Sequence, residues 1–156
     1  MAQLDAVDRG ILYLLQRDAR NNSASMIAEV IQVAPNTVRN RIDRLENEGV
    51  IEAYHPQLNY ERAGYQLRVV FVCSVPIADR KDISQQAMHV DGVIEVREML
   101  SGHQNLLVEV VGNDSNDITD IAGELEALDV TIQDERFVKS VQSKAFSPFG
   151  DEIDDY

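Results

Sequence analysis

Apolar residues recur every three to four positions in the first third of the chain and at about every second position through much of the rest. Leu4, Val7, Ile11, Leu14 and Leu15 predict an amphipathic helix that ends near Arg20. Asn21-Asn22 interrupts it, and Ser23 can accept from the free N–H groups of a short second helix over residues 24–31. A turn at Gln32-Val33 leads into a third helix with Pro35 at its first position, where a missing N–H costs nothing. That helix runs to Glu48, and Gly49 suits the left-handed residue that ends it. Val50-Ile51-Glu52-Ala53-Tyr54 reads as a short strand or wing.

His55-Pro56 marks a boundary, because proline disfavours helix in the residue before it. The linker spans residues 55–65, and its start is also compatible with a strand. Beyond it the pattern gives a strand over 67–75, a helix over 79–90, a strand over 93–100 and a turn at Ser101–Gln104. A strand over 105–111, a helix over 117–128 and a last strand over 137–146 follow. Strand-helix-strand twice over is the ferredoxin-like βαββαβ order. In the first strand, residues 67, 69, 71, 73 and 75 point one way, and Val70 and Val72 the other. Two helices cover one face of such a sheet. The other face needs cover too, which favours a second copy related by two-fold symmetry. The fold class is therefore α+β: a winged-type helix-turn-helix over residues 1–54, the linker, a βαββαβ domain over 66–148 and an acidic tail over 149–156.

Charge sets this chain apart. Among 156 residues, 27 Asp and Glu face 14 Lys and Arg, a net charge of −13. Such a chain should repel nucleic acid and acidic membranes. The acid is spread over the whole length, which suggests a saline cytoplasm, where screening makes self-repulsion cheap. A single cysteine excludes an internal disulfide and a zinc-finger cluster, and Cys73 reads as a buried core residue. No apolar run is long enough to span a bilayer and no signal peptide opens the chain, so a cytoplasmic protein is expected. His55, His89 and His103 lack ligand spacing, and no phosphate loop or nucleophile motif is present. The sequence therefore calls for no metal, no cofactor and no enzymatic activity.

Against this acidic background the third helix reverses sign. From Asn36 to Leu45 it carries three arginines against Asp43 alone. On a helical wheel Val38, Ile42 and Leu45 form one apolar face. Asn36, Thr37, Asn40 and Arg44 lie opposite, Arg39 flanks them and Arg41 sits at the boundary. Asn pairs with adenine, Arg with guanine or phosphate, and Thr with the thymine methyl. These six polar residues are the candidate DNA contacts: Asn36, Thr37 and Asn40 at base edges, and Arg39, Arg41 and Arg44 at phosphates or guanine. An ordinary surface helix has the same pattern.

Two stretches carry a resemblance. One is Leu4-Asp5-x-x-Asp8-x-x-Ile11-Leu12-x-x-Leu15-x-x-Asp18-Ala19-Arg20. The other is Pro35-x-Thr37-Val38-x-x-Arg41-Ile42-x-x-Leu45-Glu46-x-x-Gly49-Val50-Ile51. Together they resemble the Lrp/AsnC (leucine-responsive regulator) family of transcription factors, and the second half is similar to that family's ACT-like effector-binding domain. The resemblance implies a transcriptional regulator that binds double-stranded promoter DNA, dimerises through its sheet, often assembles to octamers and often senses amino acids. The family's turn glycine is Gln32 here and its serine cap is Ala34, which points to a remodelled turn. Its loop glycine is Gly102 and its aspartate position is Asn105. Ser101, Gly102, His103, Gln104 and Asn105 are therefore the implied effector-binding residues; they would equally make a plain hairpin turn. A threonine that the family often has near Arg136 is absent. The alternative function is a small-molecule sensor that acts through a protein partner without binding DNA.

Overall fold

The structure is a computed structural model that describes residues 3–151 and residue 153. The chain forms two compact units. One is built from the residues up to Pro56 together with those from Gln142 onward, the other from residues 57–141.

In the first unit, helices α1 (Ala6–Asp18), α2 (Ala24–Ile31) and α3 (Pro35–Asn47) follow the predicted order. Asp5 caps α1: its side chain accepts from Asp8 N–H at 2.9 Å, while the Asp8 carboxylate accepts from Asp5 N–H at 3.1 Å. Ser23 caps α2 through Met26 N–H. The turn is not remodelled. Gln32 itself takes the left-handed conformation, φ 58 and ψ 48, and carries a backbone cost of about 1–2 kcal/mol that glycine would not. Ala34 leaves α3 without a side-chain cap. Gly49 ends α3 at φ +69, and Val50 N–H returns to Leu45 O at 2.9 Å. Ile11, Ile27, Val38 and Leu45 are fully buried where the three helices meet. Residues 50–54, expected as a strand or wing, form no strand, and neither does the linker: Val50 and Ile51 N–H both return to Leu45 O, and among the described residues no strand pairs with residues 50–65.

The second unit holds β1 (Leu67–Ser74), α4 (Arg80–Ala87), β2 (Val93–Glu98), β3 (Leu106–Gly112), α5 (Ser115–Glu126) and β4 (Thr131–Phe137). The sheet is antiparallel in the order β2-β3-β1-β4, the ferredoxin-like arrangement. Val69, Phe71, Cys73 and Val75 pack with Leu106, Val108 and Val110 against Ile83, Ile118, Ile121 and Leu125, as the alternation predicted. Val72 and Glu109 point to the other face. Helix α5 starts two residues earlier than expected, because the Asp114 carboxylate accepts from Asn116 and Asp117 N–H.

Two further expectations are corrected. The last strand is Thr131–Phe137, not 137–146. It is an edge strand with Ile132 as its contribution to the core, so most of its side chains are polar and the hydrophobic pattern is silent. Of the more apolar stretch that follows, Val138 N–H still donates to Arg68 O of β1 at 2.8 Å, and the residues after it are not strand. The tail expected over 149–156 also contributes packing residues. Phe146 N–H donates to Gln16 Oε1 at 3.1 Å, the Phe146 and Phe149 rings meet edge-on at 5.0 Å, and Phe149 and Ile153 pack on the helical core. Glu152, Asp154 and Asp155 lie outside the described residues. Among the described residues no helix is long and apolar enough to cross a membrane.

Candidate nucleic-acid interface

Helix α3 is held by its apolar face. Val38 and Leu45 are 0% exposed, and Ile42 packs beside them. This fixes the rotation of α3 and leaves Asn36, Arg39 and Asn40 exposed, with Thr37 half-buried at the edge. Arg39 Nη1 donates to Asn36 Oδ1 at 2.7 Å, one helical turn apart, so this amide and guanidinium are presented together. The first turn of α3 thus displays the amide, hydroxyl and guanidinium groups that base edges accept.

Arg41 and Arg44 stand differently from the other candidates. Arg41 Nη1 reaches Asp5 Oδ2 at 2.7 Å and Asp8 Oδ1 at 3.1 Å, and Arg44 Nη2 reaches Asp8 Oδ2 at 2.5 Å. Asp8 is 0% exposed. The Asp8 N–H, and then the Arg41 guanidinium, hold the Asp5 carboxyl below the usual range; the Asp5 hydrogen bond raises Arg41 in turn. Arg44, placed outward by the helical wheel, therefore turns to α1, and the local surplus of positive charge is met by two carboxylates. Sequence reasoning quoted Asp5 and Asp8 in the family pattern without assigning them partners. Their i, i+3 spacing in an N-terminal turn, opposite arginines at i, i+3 on α3, was the available signal.

The candidate effector residues lie at the β2–β3 hairpin. Ser101, Gly102, His103 and Gln104 are exposed, and Gly102 sits at φ +98. Ser74 Oγ donates to His103 O at 2.7 Å and accepts from Gln133 Nε2 at 2.6 Å, which ties the loop to β1 and β4. Asn105 is set apart from the other four. It is 3% exposed, its Oδ1 accepts from Val75 N–H at 3.0 Å and its Nδ2 donates to Val75 O at 2.9 Å. Its amide thus ties the residue before β3 to the residue after β1. Both polar atoms of its side chain are engaged with Val75. Arg136, at the position of the absent threonine, pairs with Asp134 at 2.8 Å.

Two features had no counterpart in the sequence reading. On the sheet face away from the helices, Glu109, 3% exposed, pairs with Arg68 and, at 3.0 Å, with Arg97. A cavity of about 400 Å³ is lined in part by Tyr60, Tyr65, Arg68 and Lys139. Cys73 is buried as expected, and burial pushes its thiol up to about 12.

Residues 4–52 match the family model described as winged helix-turn-helix DNA-binding. An uncharacterised HTH-type transcriptional regulator of Pyrococcus horikoshii is 47% identical over 68 residues, covering 44% of this chain and 45% of that protein. The chain therefore spans under half of that relative. An uncharacterised HTH-type transcriptional regulator of Pyrococcus abyssi is 32% identical over 116 residues, covering 74% of this chain and 72% of that protein. Among solved structures, the leucine response regulatory protein LrpA of Mycobacterium tuberculosis superposes with a TM-score of 0.77 at 20% identity, over 90% of this chain and 96% of that one. The feast or famine regulatory protein of M. tuberculosis, complexed with L-methionine, gives a TM-score of 0.78 at 19% identity, over 91% of this chain and 96% of that one. A helix-turn-helix with an outward polar face on α3, a βαββαβ second unit and relatives that cover both place this chain in the Lrp/AsnC family of helix-turn-helix transcriptional regulators.

Proposed function

We propose that this DNA-binding regulator reads a pseudo-palindromic promoter site as a cytoplasmic dimer, with Asn36, Thr37 and Asn40 of α3 at base edges and Arg39 at the backbone or a guanine. The observation that carries this reading is the fixed rotation of α3, set by Val38 and Leu45, which turns those polar residues outward. A dimer would place its two reading helices in half-sites one or more helical turns apart. The sheet face that carries Val70, Val72, Leu107 and Glu109 is the surface proposed for dimerisation, since the alternation of β1 and β3 puts apolar side chains there, away from the core that α4 and α5 cover. Sedimentation of the intact protein tests this; a monomer at micromolar concentration would refute it.

The exposed loop residues Ser101–Gln104 are proposed to hold a small-molecule effector. A similarly folded regulator with bound L-methionine supports an amino acid as the first class to try. Calorimetry against a panel of amino acids at millimolar concentration checks this, and heat from none of them excludes amino-acid sensing. The DNA reading is tested by anisotropy of the intact protein with duplexes from its own upstream region and scrambled controls, over a salt series. Preferential binding is expected, and Asn40→Ala should erode the preference more than the total affinity. Equal affinity for every duplex would overturn sequence-specific reading.

A further inference from the structure

Helix α3 carries Arg39, Arg41 and Arg44, and all three would ordinarily be credited with phosphate contacts. The geometry divides them. The Asp8 carboxylate lies wholly inside the helical unit, with Oδ1 toward Arg41 and Oδ2 toward both Arg44 and Asp5 N–H. Asp5 takes Arg41 from the outer side. Arg44 Nε is buried and meets no hydrogen-bond partner among the described residues, so its guanidinium is turned inward at the expense of a donor. A buried carboxylate stripped of its counterions is costly, so the arginines cannot both leave Asp8 for a phosphate. The positive charges of Arg41 and Arg44 are matched one for one by Asp5 and Asp8. Arg39, exposed and oriented by Asn36, has no carboxylate partner among the ion pairs of the described residues.

We infer that Asp8 is a positioning residue that fixes α3 on α1 through Arg41 and Arg44, and that Arg39 is the arginine of α3 that meets DNA phosphate. The inference rests on the reading of α3 as the DNA-contacting helix. It implies that the three arginines contribute about one phosphate contact, not three, to the salt dependence of binding. Each phosphate neutralised makes log K fall by about 0.9 per log unit of salt. A reading helix with one such contact from its arginines suits a chain of net charge −13, for which attraction at long range is absent.

The test uses the intact protein and a duplex from its upstream region, titrated by anisotropy from 0.1 to about 1 M potassium chloride, beside thermal melting. Arg39→Gln is expected to flatten the salt slope by about 0.9 and leave the melting midpoint within about 2 °C. Arg41→Gln and Arg44→Gln are expected to leave the slope within about 0.3 and to lower the midpoint by roughly 10 °C or more. A slope loss near 0.9 from either would overturn the inference. If the single variants do not fold, Asp8→Asn/Arg44→Gln removes both charges together; an unchanged slope supports the inference, and a flattened one overturns it. The same double variant closes a melting cycle with Asp8→Asn and Arg44→Gln. A double loss well below the sum of the singles is expected, and strictly additive losses overturn the clamp whatever the DNA result. Absence of wild-type binding to any duplex at any salt, with coupling intact in the melting cycle, would remove the DNA reading and with it the phosphate role of Arg39, leaving Asp8 a purely structural counterion.

Discussion

Replacing Asn105 by aspartate should turn a stable tie between the ends of β1 and β3 into a pH-dependent fault. The Asn105 amide both accepts from Val75 N–H and donates to Val75 O, at 3.0 and 2.9 Å, in a site only 3% exposed. The backbone dictates this orientation, since an N–H must meet oxygen and a carbonyl must meet the NH₂. An ionised aspartate could keep the first bond but not the second, and it would set a carboxylate against the Val75 carbonyl. A lost buried hydrogen bond costs about 1–3 kcal/mol, and an unpaired buried charge adds more, so the loss at pH 7 should be about 3–5 kcal/mol. Protonated aspartic acid can donate to Val75 O, so burial and this bond both favour the neutral form. The folded-state pKa of the new group is therefore raised above its unfolded value of about 3.9. A group shifted that way contributes its stability below the unfolded pKa and loses it as pH rises through the folded one. The penalty of Asn105→Asp should be small near pH 3.5 and should grow toward neutrality. Asn105→Ala should cost about 2–4 kcal/mol with no such dependence. Urea denaturation of the two variants against wild type from pH 3.5 to 8 measures this. A loss under about 1 kcal/mol at pH 7, or parallel pH profiles for the two, would refute the assigned role.

Other outcomes follow from the same geometry. Gly92 sits at φ +88, and a Cβ there would lie 2.5 Å from Ile121 Cδ1 and 3.0 Å from Val111 O, so Gly92→Ala should cost about 2 kcal/mol or more by denaturant unfolding, beyond the usual benefit of replacing glycine. Cys73, its thiol pushed up to about 12 by burial, should not react with a thiol reagent at pH 8 until the protein unfolds; rapid labelling of the native protein would contradict the β1 register. Phe149→Ala and Ile153→Ala should each cost about 1–3 kcal/mol and speed amide exchange in α1, with β1 and β3 unaffected; unchanged exchange in α1 would dismiss the returning segment as a stabiliser.

What the sequence determined by itself is the part that rests on local rules. Period and caps placed α1, α2 and α3, because Ser23, Pro35 and Gly49 act on neighbours a few residues away. The alternation in β1 told which of its residues enter the core, because successive side chains must face opposite ways. The polar outward face of α3 was legible for the same reason: burying Val38 and Leu45 forces Asn36, Arg39 and Asn40 out.

Tertiary structure decided whatever depends on a partner distant in the chain. The last strand fell on Thr131–Phe137 because the free edge of β1 was there to pair with it, although its own residues are mostly polar. The segment after Gln142 returned to α1 because Phe149 and Ile153 find apolar cover there, over a hundred residues away. Gln32 holds a left-handed turn because the packing of α2 and α3 outweighs its local cost. The ion pairs of Arg41 and Arg44 were decided by where Asp5 and Asp8 lie, and the hydrogen bonds of Asn105 by Val75. In each case the residue type allowed several partners, and burial selected one, since a buried charge or amide must be matched where it lies.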